Sequence, residues 1–210
     1  MNIAWSLIDS FIWKWKEVLD NSILMTTFYD ISEETKESYE ICTPGTFVYF
    51  FKNRSGKITF LLKEKNIRLF VFGLYDDVLQ KRMHLTTEQI HASPHTSSHI
   101  LVKSLLQENM NFSHDGIIRI EKEASQSKAG FESRHLLLEK SAQAHAKPHL
   151  EILADDIQCS HAVTTSPINK DILFYLNSRG MTQKQASGTI AKGFFQAVYT
   201  KIDELRSSSS

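Results

Sequence analysis

Apolar and polar positions along this 210-residue chain change period more than once. Over residues 3–19, Ile3, Leu7, Ile8, Phe11, Ile12, Trp15, Val18 and Leu19 recur at spacings of three and four. That is the stripe of an amphipathic helix, whose apolar face needs a partner. From about Ile41 to Tyr75 the pattern shifts to short runs rich in Phe, Val, Ile and Tyr, broken by Asn53-Arg-Ser-Gly56 and Lys63-Glu-Lys-Asn66. These predict strands joined by turns. Short apolar runs continue at Ile100-Leu-Val102, Ile117-Ile-Arg-Ile120, Leu136-Leu-Leu138 and Leu150-Glu-Ile-Leu153, each too short for a helix. They recur at roughly 15 to 20 residues, near the period at which a parallel β-solenoid returns to one face. An antiparallel sandwich carries the same punctuation, so the period alone leaves both architectures open.

After Pro167 the helical period returns. Asn169 is placed to cap a helix containing Ile172, Leu173, Tyr175 and Leu176, and Gly180 stands where that helix would stop. Thr182 precedes a second helix from Gln183 to about Leu205, with an apolar stripe of Ile190, Phe194, Phe195, Val198 and Ile202 weakened locally by Gly188 and Gly193. The expected organisation is an amino-terminal helical segment over residues 1–40, a β-rich core over 41–166, a carboxy-terminal helical domain over 167–206 and a disordered tail over 207–210.

Composition narrows the function classes. Apolar residues make up 41% of the chain, enough for one substantial core. Lys plus Arg and Asp plus Glu both total 24, so no overall field favours nucleic acid or an anionic membrane as partner. The two cysteines, Cys42 and Cys159, lack the dense spacing of a disulfide framework, which points to a reducing, cytoplasmic setting. Asp9, Lys14 and Lys16 interrupt the apolar start, which therefore reads poorly as a signal peptide. The run Ile67–Tyr75 is far shorter than the roughly 20 residues of a membrane-spanning helix.

Two segments carry a resemblance. Leu150-Glu-Ile-Leu-Ala-Asp-Asp-Ile-Gln-Cys-Ser-His161, followed by Asp171-Ile-Leu-Phe-Tyr-Leu-Asn-Ser-Arg-Gly180, resembles the carboxy-terminal signature of the SufB/SufD family of iron–sulfur cluster assembly scaffolds. Upstream, Thr96-Ser-Ser98, Gly116-Ile-Ile-Arg-Ile120 and Ser133-Arg-His-Leu-Leu-Leu138 are similar to successive rungs of that family's β-helix. The resemblance covers roughly residues 90 to 205, and Cys159-Ser160-His161 after the paired aspartates points to the SufD-like branch. Residues 1–60 match nothing in the family pattern, as in a form shortened on its amino-terminal side.

The resemblance implies a right-handed parallel β-helix followed by a helical carboxy-terminal domain. It also implies a non-catalytic scaffold that pairs through its β-helix with a SufB-like chain, or with itself. The carboxy-terminal helices would hold a SufC-type ABC ATPase, through Phe174, Tyr175, Leu176, Arg179 and Gly180. A transient iron–sulfur cluster would form at the interface, shared with the partner chain.

On one strand, Cys159 and His161 point to the same face, where thiolate and imidazole together suit iron and leave positions for a partner's ligands. The plainer reading is a buried cysteine beside a surface histidine. His91, His95 and His99, and likewise His145 and His149, are spaced for one helix face, but Pro94 and Pro148 argue against helix there. His149 and Glu151 would point away from Leu150 and Ile152, with Glu151 a possible aid to a cluster. Adjacent Asp155 and Asp156 cannot grip one proton from a strand and suit a turn. The composition of Phe174 to Gly180 fits either protein docking or packing on the β-helix end. No Gly-x-x-x-x-Gly-Lys phosphate loop, nucleophile elbow or His-Glu-x-x-His motif occurs in the chain. Two alternatives remain: an adaptor of the same family without cluster chemistry, and a histidine-dependent metalloenzyme on a solenoid or barrel.

Overall fold

A computed structural model describes residues 26–76 and 80–207. Eleven strands and two helices follow one another along these residues. The strands are β1 (Thr26–Asp30), β2 (Ser38–Ile41), β3 (Gly45–Lys52), β4 (Gly56–Leu62), β5 (Ile67–Tyr75), β6 (Arg82–His91), β7 (Ser97–Leu106), β8 (Asn111–Ile120), β9 (Lys128–Leu137), β10 (Gln143–Ile152) and β11 (Gln158–Pro167). Helices α1 (Lys170–Ser178) and α2 (Gln183–Ser207) close the chain.

Odd strands form one sheet in the order β1-β3-β5-β7-β9-β11, and even strands form a second, β2-β4-β6-β8-β10. Every pairing is parallel. The chain therefore winds as a β-solenoid, laying down one strand of each sheet per coil. Ser97, Lys128 and Gln158 are register partners in β7, β9 and β11, so one full coil takes about 30 residues. The spacing read from the apolar runs is thus a half-coil, the step from one sheet to the other. The β-rich region also begins earlier than residue 41: β1 and β2 already lie in the two sheets, from Thr26 onward. The amphipathic pattern of residues 3–19 and the serines 208–210 lie outside the described residues.

Successive residues point alternately into the lumen and outward, and the parallel register hands this direction from coil to coil. One lumenal column runs Leu69, Ser98, Ala129, Cys159; the next runs Val71, Ile100, Phe131, His161. The lumen is aromatic at its amino-terminal end. Tyr29 stacks on Tyr49 at 4.8 Å, and Tyr39 stacks on Phe60 at 5.4 Å. Buried Arg54 ties this end together by donating to the Ile31 carbonyl, the Tyr39 hydroxyl and the Lys36 carbonyl.

Farther along, the lumen becomes polar. His91 sits between Thr96 and Ser98, with both ring nitrogens 2.7 Å from a hydroxyl. His114 bridges Thr87 at 2.9 Å and Ser133 at 3.0 Å, and His135 bridges Ser133 at 3.0 Å and Ser104 at 2.7 Å. A neutral imidazole offers one donor and one acceptor, and a hydroxyl can take either complement. Each buried histidine is therefore satisfied without charge. Burial holds His91 down at about 4, His114 at about 3 and His135 at about 4.

Helix α2 crosses the outer face of the odd-strand sheet. Its Phe195, Val198, Ile202 and Leu205 pack with Val48, Phe72, Leu74, Leu105 and Leu136, drawn from β3, β5, β7 and β9. Arg206 lies over the Phe28 ring of β1 at 5.2 Å. Lys103 fixes the helix along this face: its Nζ donates to the Phe194 carbonyl at 2.7 Å and lies 4.8 Å from the Phe194 ring centroid. Burial pulls this ammonium down to about 8. Among the described residues no helix is long and apolar enough to cross a membrane.

A β-carbon on Gly116 of β8 would stand 1.9 Å from the Phe131 ring, which faces it from β9. Gly116→Ala should cost about 1–3 kcal/mol in denaturant unfolding through overpacking, and adding Phe131→Leu should recover part of it. The three lumenal histidines contribute a pH response, and burial holds His99 on the outer face down in the same direction. Their folded affinity for protons lies below the unfolded value of 6.5, so the unfolded chain takes up protons first. Their contribution is at its full value above about pH 6.5 and is lost as pH drops toward about 3. The urea midpoint should decline over that window, and His135→Gln should flatten the decline.

Candidate functional site

The last coil has no successor, and this places the sequence-derived site. β10 and β11 are the terminal strands of their sheets, ten residues each, with their outer backbone edges unpaired among the described residues. Their lumen-facing side chains continue the interior columns into the open. Leu150 stands in register with Ile118, and Ile152 with Ile120. The two isoleucines are fully buried, whereas Leu150 is 44% and Ile152 40% exposed. Leu153 and Val163 are exposed beside them. The end of the solenoid is an apolar surface bounded by two edges unpaired among the described residues, and exposed edges and apolar patches of this kind are templates for pairing with another chain.

Cys159 and His161 lie on β11 within this surface. Their columns place both on the lumenal side, above Ala129 and Phe131. The spacing of two therefore does bring them to one face, and that face is the open end. Cys159 is half-buried against the cluster of Ile118, Ile120, Ala129 and Phe131, joined by Ala154 and Ile157. Burial raises its thiol above the ordinary value, partly offset by a backbone hydrogen bond at Ser160. His161 is exposed. One thiol and one imidazole make two donors of the kind that hold cluster iron, half of a four-ligand set. Among the described residues no three His, Cys, Asp or Glu side chains are arranged to hold a metal ion.

The other candidates separate. His91 is lumenal and hydrogen-bonded, His95 occupies a turn with φ +56°, and His99 lies on the outer face of β7, 3.7 Å from Glu132. His145 and His149 project from the outer face of β10, away from the lumen. Glu151 shares that outer face and lies 3.7 Å from Arg119, so it does not reach toward Cys159 and His161. Asp155 and Asp156 form the turn between β10 and β11, with Asp156 at φ +54°.

The second candidate region is the helical elbow. Asn169 caps α1, its side chain accepting from the Asp171 and Ile172 amides at 2.8 and 3.2 Å. Gly180 ends it at φ +89°, a conformation that favours glycine. Thr182 and Gln185 exchange hydrogen bonds in a capping box that starts α2. α1 packs on α2 and buries none of its residues fully. Leu173 and Leu176 are its half-buried residues, while Phe174 is 75% and Tyr175 54% exposed. Arg179 covers the Tyr175 ring at 5.2 Å. Leu176 thus belongs to the half-buried side, and Phe174, Tyr175 and Arg179 form the exposed one.

Because Cys159 is half-buried with a raised thiol, it should alkylate more slowly than exposed Cys42 near neutral pH. Timed iodoacetamide labelling read by peptide mass spectrometry checks this. Cys42 should be modified first, and Cys159 should accelerate only at alkaline pH or when the last coil is loosened.

Residues 53–194 match the family described as SUF system FeS cluster assembly, SufBD core domain. The chain is 28% identical to the iron–sulfur cluster assembly protein SufD of Bacillus subtilis over 148 residues, covering 67% of this chain and 34% of the relative. It is 30% identical to SufB of the same organism over 109 residues, covering 52% and 23%. It is 38% identical to the chloroplastic protein ABCI7 of Arabidopsis thaliana over 88 residues, covering 42% and 18%. The chain thus matches about a third or less of the length of these relatives. The family match spans most of the solenoid and the first half of α2, and on this ground the chain belongs to the SufBD family of iron–sulfur cluster assembly proteins.

Proposed function

We propose that this chain is a SufD-like, non-catalytic scaffold subunit of a cytoplasmic iron–sulfur cluster assembly complex. The observation that carries this reading is the open last coil. Cys159 and His161 stand on a solenoid end that combines exposed aliphatic side chains with two strand edges unpaired among the described residues. A partner solenoid, SufB-like or a second copy, covers that surface by strand addition and by burying Leu150, Ile152 and Val163. Its own ligands complete the coordination that one thiol and one imidazole begin. The nascent cluster is cargo, held between the chains and passed on. Binding iron requires Cys159 to lose its proton, and the raised thiol makes the unliganded site reluctant to do so before metal and partner arrive.

ATP hydrolysis belongs to a SufC-type ATPase docked on α1 and the start of α2 through Phe174, Tyr175, Arg179 and Gly180. The exposure of Phe174 and Tyr175 supports docking over internal packing.

One observation favours the adaptor alternative: Cys159 packs as an apolar residue against Ala129 and Ile157. Anaerobic co-purification with the same organism's SufB-like and SufC-like proteins decides between the two. Iron and sulfide in the complex should fall severalfold in Cys159→Ala and His161→Ala while the complex stays intact. Unchanged iron and sulfide would leave an adaptor, and absence of any complex would sink the scaffold reading.

A further inference from the structure

The elbow between α1 and α2 encloses an open cleft of about 470 Å³, lined by Arg179, Met181, Gly188, Thr189 and Lys192 among others. Two features of it have no explanation among the described residues.

The first is Gly188. It lies in the interior of α2, where glycine is less favourable than any residue but proline. A β-carbon there would meet nothing within 4 Å. Packing does not demand the glycine, as it does at Gly116, and the helical backbone does not demand it either. What glycine supplies at this position is an uncovered stretch of helix at the cleft.

The second is charge. The chain as a whole balances 24 cations against 24 anions, yet residues 169–193 hold Lys170, Arg179, Lys184 and Lys192 against Asp171 alone. All five are exposed, and none of the four cations takes part in an ion pair among the described residues. Two of them, Arg179 and Lys192, line the cleft itself. The Thr189 hydroxyl is committed to the Gln185 carbonyl at 2.9 Å, so the polar groups offered outward are mainly cationic.

We propose that this cleft receives an apolar side chain from an acidic-rimmed surface of the ATPase partner. Gly188 leaves the space for that side chain, Met181 forms its apolar wall, and Arg179 and Lys192 pair with carboxylates on the rim. Tyr175, beneath Arg179, extends the contact along α1. The proposal rests on the ATPase-docking reading above and specifies the chemistry of that contact.

The test is calorimetric titration of the full chain with the same organism's SufC-type ATPase at two salt concentrations, for wild type, Gly188→Leu and Arg179→Glu/Lys192→Glu. Gly188→Leu fills open space on a helix, so it should keep or raise Tm while weakening binding at least about tenfold, the loss of one well-packed anchor. The charge-reversed variant should bind more weakly still and lose most of the wild type's salt dependence. Wild-type affinity in Gly188→Leu, or salt-independent wild-type binding, would overturn the cleft proposal and leave ATPase docking standing. No binding by the wild type would overturn both. Binding of anionic phosphatidylserine vesicles with no binding of the ATPase would assign the cationic elbow to a lipid surface instead.

Discussion

Everything in this molecule depends on the register of its parallel ladders. Once Ser97 aligns with Lys128 and Lys128 with Gln158, the direction of every side chain in a coil is inherited by the coil above it. The lumen is then a set of columns, and a residue's role follows from the column it joins. Gly116 is small because Phe131 crosses the lumen toward it. Cys159 and His161 face the open end because they continue the columns of Ala129 and Phe131. A one-residue slip of β11 would turn both outward and present Ser160 and Ala162 to the end surface instead. The site is thus a property of the ladder before it is a property of two residues.

This constraint also marks what the sequence could disclose. Strands whose lumenal positions are apolar, such as Ile58, Phe60 and Leu62 in β4, announce themselves by alternation. β6 does not, because its lumenal residues pass from Met83 and Leu85 to Thr87, Gln89 and His91, while Ile90 points outward. The period-of-two signal inverts within one strand. The caps at Asn169 and Gly180 were legible, since capping chemistry is local. The shared face of Cys159 and His161 was legible for the same reason. Their position at an exposed end was not, because exposure there is set by the absence of a next coil. Beyond the shared Ser133, the other hydroxyl partners of His114 and His135 lie on neighbouring strands, Thr87 and Ser104 being 27 and 31 residues away. Only the winding brings them together.

The two ends of the solenoid are chemically unlike. The first described coils are filled by stacked aromatic rings and by Arg54, which makes three hydrogen bonds inside the fold. The last coil presents aliphatic side chains with a thiol and an imidazole among them. A neutral, hydrogen-bonded lumen between these ends resists water and charge alike, so polarity is concentrated where another chain can use it. The helical elbow supplies a second outward-facing surface, cationic where the solenoid end is apolar. The two surfaces differ in character, one aliphatic and one cationic.

Helix α2 alters how this architecture should come apart. In an ordinary solenoid each repeat touches only its neighbours, so coils can fray singly from an end and stability accumulates as a one-dimensional sum. Here the last helix of the chain reaches back across β9, β7, β5 and β3 to Phe28 of β1, with Lys103 fastening it midway. The first coil cannot detach without exposing the helix that also covers the ninth strand. The strap couples repeats that are not adjacent, so the coils from β1 to β9 should unfold together, while β10 and β11, outside its reach, stay free to fray.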